Sequence, residues 1–277
     1  MRAAENENTI FAANRAVGRV ALAVKSTAAI TRRARVHEEG SLRVRCPGRP
    51  GRELEAVLVN TAGGMAGGDR FEIDITVGED AHLSVTTTAA EKVYRTLGPD
   101  TDIDVTMTVA DGGDLVWLPQ ETILFDQARL NRTIEVDLAA NAKLVMAEAV
   151  VFGRTGMGEA VHKGRFFDRW RIRRGGRLIY AEAIRLDDCV AEKLAKPAIG
   201  KGAIALATVL VVPGNDKATN DALVNAVHAL QFHGEVGVSA WNGIAVVRLV
   251  AAQDAMLRSD LAAVIKTIRA LPNPLLN

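Results

Sequence analysis

The sequence predicts a mainly β protein, a layered stack of short strands followed by two C-terminal helices. Three observations carry this. A five-residue alternation of apolar and polar residues recurs about every 30 residues. A double glycine pair sits between two strand-like runs. The 3.6-residue period of amphipathic helices enters only in the C-terminal third.

Taken in order, residues 1 to about 30 show weak organisation and are expected to form a mobile N-terminal arm, with a single domain over residues 31–277. Val57, Leu58 and Val59 precede Thr61-Ala-Gly-Gly-Met-Ala-Gly-Gly-Asp69, and the alternating Phe71, Ile73, Ile75 and Val77 follow it. A dinucleotide loop opens a helix and a P-loop ends in Gly-Lys-Ser/Thr. Here the sequel has period two, so Gly63, Gly64, Gly67 and Gly68 read as a tight corner between strands, with Asp69 able to brace backbone N–H groups.

The repeat begins within that sequel. Ile73-Asp-Ile-Thr-Val77 leads through Gly-Glu-Asp-Ala to Leu83-Ser-Val85. Val105 to Val109 leads through Ala-Asp-Gly-Gly to Leu115-Val-Trp117, and Ile134 to Leu138 through Ala-Ala-Asn-Ala to Leu144-Val-Met146. Leu83, Leu115 and Leu144 hold equivalent places. Phe166 to Leu186 reads as a fourth, degraded copy with a Gly175-Gly176 turn. Units that cannot bury their own face stack into a solenoid, while hairpins of a sandwich give the same alternation. The residues alone leave both open.

Ala203 to Val212 reads as a buried strand. Asp216 to Leu230 places Ala222, Leu223, Ala226, Val227 and Leu230 on one helical face, with Gly234 as its stop. Val236 to Trp241, Asn242-Gly243 and Ile244 to Val250 form a hairpin with a type I′ turn. Asp254 to Leu271 is a second amphipathic helix, ended by Pro272 and Pro274. The two helices carry more apolar residues than a small β stack needs, so one face is expected to be an interface.

Composition excludes several classes. Lys and Arg number 34 against 33 Asp and Glu, which argues against nucleic acid or an anionic membrane as partner. The alternation in the basic cluster Arg165, Arg169, Arg171, Arg173, Arg174 and Arg177 suits the solvated face of a strand hairpin, not a DNA-reading helix. The cysteines, Cys46 and Cys189, have no partner at metal or redox spacing, and the reading is cytoplasmic. No apolar run reaches the roughly 18 residues of a membrane span.

Motifs for catalysis are missing. His37, His82, His162, His228 and His233 form no zinc pattern, and no serine elbow occurs. Asp100, Asp102 and Asp104 alternate, as do Glu72 and Asp74, in the manner of a solvated strand face. Glu148 differs. It lies inside the apolar run Leu144 to Phe152, where burial demands a cation or several donors. Lys92, Arg95 and Arg154 are the expected candidates.

Four ordered segments carry a resemblance: GGMAGGDRFEIDITV (63–77), TTTAAEKVYRT (86–96), LPQETILFDQARLNR (118–132) and GRTGMGE (153–159). Together they resemble the UreD family of urease accessory proteins, called UreH in some organisms, from about Arg33 to about Leu271. The matching positions include the corner glycines and Asp69; Lys92, Tyr94 and Arg95; Pro119, Phe125 and Arg129; and Gly153, Arg154, Met157, Gly158 and Glu159. Thr88 departs from the family, which often has glutamine there, and the tail over residues 271–277 lacks an aromatic or basic ending.

The resemblance implies a β-helix-like fold and a protein that is not an enzyme. It implies binding to urease apoprotein with UreF-like and UreG-like partners, GTP-dependent nickel insertion, and a homodimer within the complex. No tightly bound cofactor is implied. Nickel would pass transiently, and Asp69, Glu148 and Glu159 are the expected lining of a polar path. Two rival readings are a β-solenoid enzyme acting on a polysaccharide and an interaction module with no metal role. The first needs aromatic platforms, which Phe, Trp and Tyr at 4% of the chain supply poorly.

Overall fold

The computed structural model describes residues 15–213 and 218–271. Strand β1 (Val17–Thr27) turns into β2 (Ile30–Gly40), followed by β3 (Leu42–Arg45) and β4 (Glu53–Asn60). Three successive coils follow. They hold β5 (Arg70–Val77), β6 (His82–Thr87) and β7 (Glu91–Val93); β8 (Thr101–Val109), β9 (Asp114–Trp117) and β10 (Thr122–Leu124); and β11 (Arg129–Leu138) with β12 (Lys143–Phe152). The chain continues through β13 (Lys163–Arg174), β14 (Arg177–Cys189), helix α1 (Val190–Ala195) and β15 (Ala205–Val212). It closes with α2 (Ala218–His228), β16 (Glu235–Trp241), β17 (Ile244–Ala251) and α3 (Asp254–Arg269).

The coils stack in parallel, and the architecture is solenoid-like. One sheet runs β14-β13-β11-β8-β5-β1-β2, the other β16-β17-β15-β12-β9-β6-β4-β3. Inward-facing residues of successive coils fall in register. Leu22, Ile75, Met107, Val136 and Ile172 form one row across the first sheet. Leu54, Leu83, Leu115 and Leu144 form a row across the second, so the three leucines paired by the sequence repeat are physical neighbours. All nine are buried. A third, short side exists: Met65 bridges Val93, Val93 pairs with Leu124, and Leu124 with Phe152. These four are buried as well.

The turns between the two sheets also stack. Ala110 donates its N–H to Val77, Ala139 to Val109 and Gly175 to Leu138, extending the ladder beyond the strands. Small residues are needed here because each turn lies on the one before. Asp111 accepts hydrogen bonds from the backbone N–H and side-chain amide of Asn141, one coil on.

Four expectations change. The expected arm contains β1, whose Val20, Leu22 and Val24 are buried because β1 pairs with both β5 and β2; residues 1–14 lie outside the described residues. The fourth repeat copy holds only for its first half. β13 extends the parallel row, but at Gly175-Gly176 the chain folds back antiparallel as β14 and does not cross to the second sheet. Gly234 does not stop the first helix, which ends at His228; its N–H donates to Asp260 of α3 at 2.8 Å. The apolar helix residues are largely accounted for. Leu223, Val227, Leu257, Val264 and Ile268 pack with Val145, Ala147, Val209 and Val247 in a second core on the outer face of the second sheet. Residues 272–277, with the two prolines, lie outside the described residues.

The hairpin and the buried strand over 205–212 form as expected, with Asn242 and Gly243 both at positive φ, 48° and 79°. Arg169 and Arg173 lie on the solvated face of the β13–β14 hairpin, within 3.7 Å and 3.6 Å of Glu135.

Leu115 is the test of the stacked rows. Its side chain is 1% exposed between Leu83 and Leu144. Leu115→Ala should cost about 2–5 kcal/mol of stability in urea denaturation, the loss expected of a fully packed leucine. A cost below about 1 kcal/mol would show that the row does not hold the coils together.

Candidate functional site

The four sequence segments of the resemblance meet at the third side of the solenoid. The first three supply the rungs Met65, Val93 and Leu124, and Phe152, the fourth rung, directly precedes the last segment. Residues up to 96 positions apart are thereby placed on one corner. Met65 N–H donates to the Lys92 carbonyl and Tyr94 N–H to the Met65 carbonyl, at 2.7 and 2.8 Å. The Tyr94 hydroxyl donates to the Gly63 carbonyl at 2.9 Å. Its ring meets Phe125 edge-on at 5.1 Å, and the Arg154 guanidinium lies 4.2 Å over Phe125. Glu159 holds Arg154 at 2.7 Å.

The glycines are needed for this contact. Gly63, Gly64 and Gly68 have φ of 75°, 148° and 90°. A Cβ on Gly64 would lie 2.5 Å from the Tyr94 ring. One on Gly67 would lie 2.1 Å from Thr96 Oγ1 and 2.5 Å from the Pro99 carbonyl oxygen. The corner therefore needs a left-handed backbone at Gly63, Gly64 and Gly68 that other residues adopt only with strain, and it has no room for a side chain at Gly64 or Gly67. Asp69 braces it as its position suggests. Its buried carboxylate accepts the N–H of Ala16 at 2.8 Å and of Ala66 at 2.7 Å.

Inside the coils lies a charged network that the sequence reading found only in part. Arg132 and Asp168 are register partners on β11 and β13. Arg132 Nε and Nη2 donate to the two Asp168 oxygens at 3.0 and 2.6 Å, a bidentate pair. Nη1 donates to Glu148 at 2.5 Å. Trp117 Nε1 donates to Glu148 at 2.7 Å and Trp170 Nε1 to Asp168 at 3.1 Å. All three charged side chains are buried. Glu148 thus has the cation its burial demanded, but the cation is Arg132 and not Lys92, Arg95 or Arg154.

The signal that could have found Arg132 and Asp168 is parity. Leu130, Arg132, Ile134 and Val136 share the inward face of β11, and Phe166, Asp168, Trp170 and Ile172 that of β13. Burial opposes the charge on Arg132, but Asp168 and Glu148 beside it outweigh this and raise its pKa. Burial pushes the Glu148 carboxyl up, against the opposing pull of Arg132.

Glu148 and Arg132 line a cavity of about 60 Å³ between the sheets, with Asn60, Thr87, Glu91 and Gln120 completing its polar wall. Burial raises the Glu91 carboxyl as well, and a 3.1 Å hydrogen bond from Asn60 Nδ2 opposes this. Asp69 and Glu159 do not line this cavity. The three carboxylates expected along one path therefore have separate roles: Asp69 caps backbone, Glu148 sits in the buried network, and Glu159 pairs with Arg154 near the surface. Among the described residues, no three His, Cys, Asp or Glu side chains are grouped to hold a metal ion. No helix there is long and apolar enough to cross a membrane.

Residues 16–275 match the family described as UreD urease accessory protein. The chain belongs to the UreD family. A urease accessory protein UreD of Rhodopseudomonas palustris strain BisA53 is 53% identical over 98% of this chain and 94% of its own length. UreD 3 of Bradyrhizobium sp. strain BTAi1 is 51% identical over 96% and 94%, and UreD of Bradyrhizobium diazoefficiens strain USDA 110 is 49% identical over 98% and 97%. The family places this UreD chain among proteins involved with urease and its maturation. The corner is built from the segments that carry the likeness, and the cavity draws on three of them while Asn60, Trp117 and Glu148 come from outside.

Two substitutions test these sites. Gly67→Val should destabilise by more than about 2 kcal/mol through overpacking against Thr96 and Pro99; wild-type stability in urea would show that the 95–100 loop yields freely. Arg132→Met should cost about 3–5 kcal/mol, because it leaves Glu148 and Asp168 buried without their cation. Thermal and urea unfolding read both, and an Arg132→Met protein as stable as wild type would show that water reaches the network.

Proposed function

We propose that this chain is a non-enzymatic accessory protein of urease maturation. It binds urease apoprotein in the cytoplasm, together with UreF-like and UreG-like partners, and assists GTP-dependent nickel insertion. Membership of the UreD family over nearly the whole chain carries the reading. The cavity between the sheets, apolar over most of its lining but polar along one wall, supports a transient passage for the ion. Its wall offers one carboxylate neutralised by a guanidinium, Glu148, and one held only by an amide, Glu91. Oxygen donors of this kind hold a divalent ion weakly enough for it to leave.

The amide series separates transit from scaffolding, and the geometry sets what each variant does. Glu148 accepts hydrogen bonds from both Trp117 and Arg132, and Asp69 from two backbone N–H groups. An amide has one acceptor oxygen, so Glu148→Gln and Asp69→Asn each leave a buried donor facing an NH₂ group, at a cost of about 1–3 kcal/mol. Glu159→Gln, near the surface, should be milder. The measurement is nickel content and activity of urease matured with each variant, beside a pull-down of the accessory complex. Glu148→Gln should lower nickel with the complex intact, and Asp69→Asn should fail through assembly. Normal nickel in both would remove these carboxylates from the function.

A further inference from the structure

The third-side corner has an exposed crown that neither the cavity nor the packing explains. Among the described residues eight large hydrophobic side chains are exposed, and the two most exposed, Leu97 at 87% and Met157 at 76%, both belong to loops of this corner. Tyr94, at 37%, is a third. Leu97 follows Tyr94 by three residues and Met157 follows Arg154 by three, and Tyr94 and Arg154 belong to a rigid platform. The Tyr94 ring is pinned by its hydroxyl to Gly63 and by its edge to Phe125, and Arg154 is fixed over Phe125 by Glu159. Groups held this firmly lose little entropy when a partner docks, and exposed aromatic and apolar groups of this kind supply the core of an interface.

Asp126, beside Phe125, turns to the backbone N–H groups of His162 and Lys163, and on the segment of Tyr94 the exposed charge is one-sided. Lys92 and Arg95 are exposed on the same segment as Tyr94, and neither has an ion pair with any described residue. Arg154 is already neutralised by Glu159, and the neighbouring Glu91 turns inward to Asn60. Two cations are left uncompensated on the segment that carries Tyr94 and the protruding Leu97. Such a surface fits a protein segment that carries carboxylates next to an apolar anchor.

We propose that this crown is the docking surface for an acidic, apolar-anchored segment of urease apoprotein. The choice of urease rests on the maturation reading above. Glu91 lines the cavity and directly precedes Lys92, so the crown stands beside the cavity wall. A protein seated on the crown lies next to that wall.

The experiment uses the full chain with Leu97→Glu/Met157→Glu, Lys92→Glu/Arg95→Glu and, as a control away from the corner, Ile199→Glu. Each is titrated separately against purified urease apoprotein and against the UreF-like partner of the same organism, with thermal melting as the fold check. Both corner pairs should weaken apo-urease binding at least about tenfold, with unchanged melting, and the charge pair should also flatten its salt dependence. The control and the UreF-like titrations should stay at wild-type values. Wild-type apo-urease binding in both corner pairs, or a loss confined to the UreF-like partner, would overturn the surface while leaving the maturation reading in place. A wild-type chain that binds neither protein and restores no urease activity would overturn both.

Discussion

Parallel hydrogen bonding between coils holds Leu54, Leu83, Leu115 and Leu144 in one row and Leu22, Ile75, Met107, Val136 and Ile172 in another. The rest of the structure depends on this register. In a strand, alternate residues face alternate sides, so parity decides which side chains enter the space between the sheets. A charge at an inward position then has few places to find a partner. Arg132 finds Asp168 directly beside it in the row, and Glu148 reaches it from the other sheet. The two tryptophans complete the network, each giving its N–H to one of the two carboxylates. A network this completely hydrogen-bonded makes the register specific, since a one-residue slip would expose the apolar rows and leave each charge unpaired.

The same register builds the corner. Met65, Val93, Leu124 and Phe152 sit on successive coils, so the loops after them emerge side by side. The missing side chain of Gly64 gives Tyr94 its place, and that of Gly67 gives the Thr96–Pro99 loop its place. Glycine here works as space as much as flexibility. The result is a surface drawn from four separated segments yet held by backbone hydrogen bonds and ring contacts.

The two sheets end in different environments. The outer face of the second sheet is covered by α2 and α3, and β12 is buried along nearly its whole length. The outer face of the first sheet stays in water and carries cross-strand ion pairs such as Arg19 with Glu72 and Arg169 with Glu135. Exposed pairs of that kind contribute little each. Burial on both faces of β12, and not surface charge, is what binds the C-terminal elements to the coils.

The strands of the repeat, the Asn242-Gly243 hairpin, the two long helices and the equivalence of the three leucines were legible in the residues, because each rests on a local period or a local turn. So was the family, through four ordered segments. The corner glycines and the bracing role of Asp69 were legible too, since positive φ and backbone capping are short-range demands. What the chain order hid depends on which strand lies beside which. β1 looks like a polar arm until it pairs with β5. The third side is built from runs of three residues or fewer, too short to show a period. Glu148 signalled a need for a cation, but Arg132 could be chosen over nearer candidates only by the packing of β11 between β8 and β13. Hydrophobic alternation is written along the chain, whereas the partner of a buried charge is set across it, by hydrogen bonds between coils about 30 residues apart.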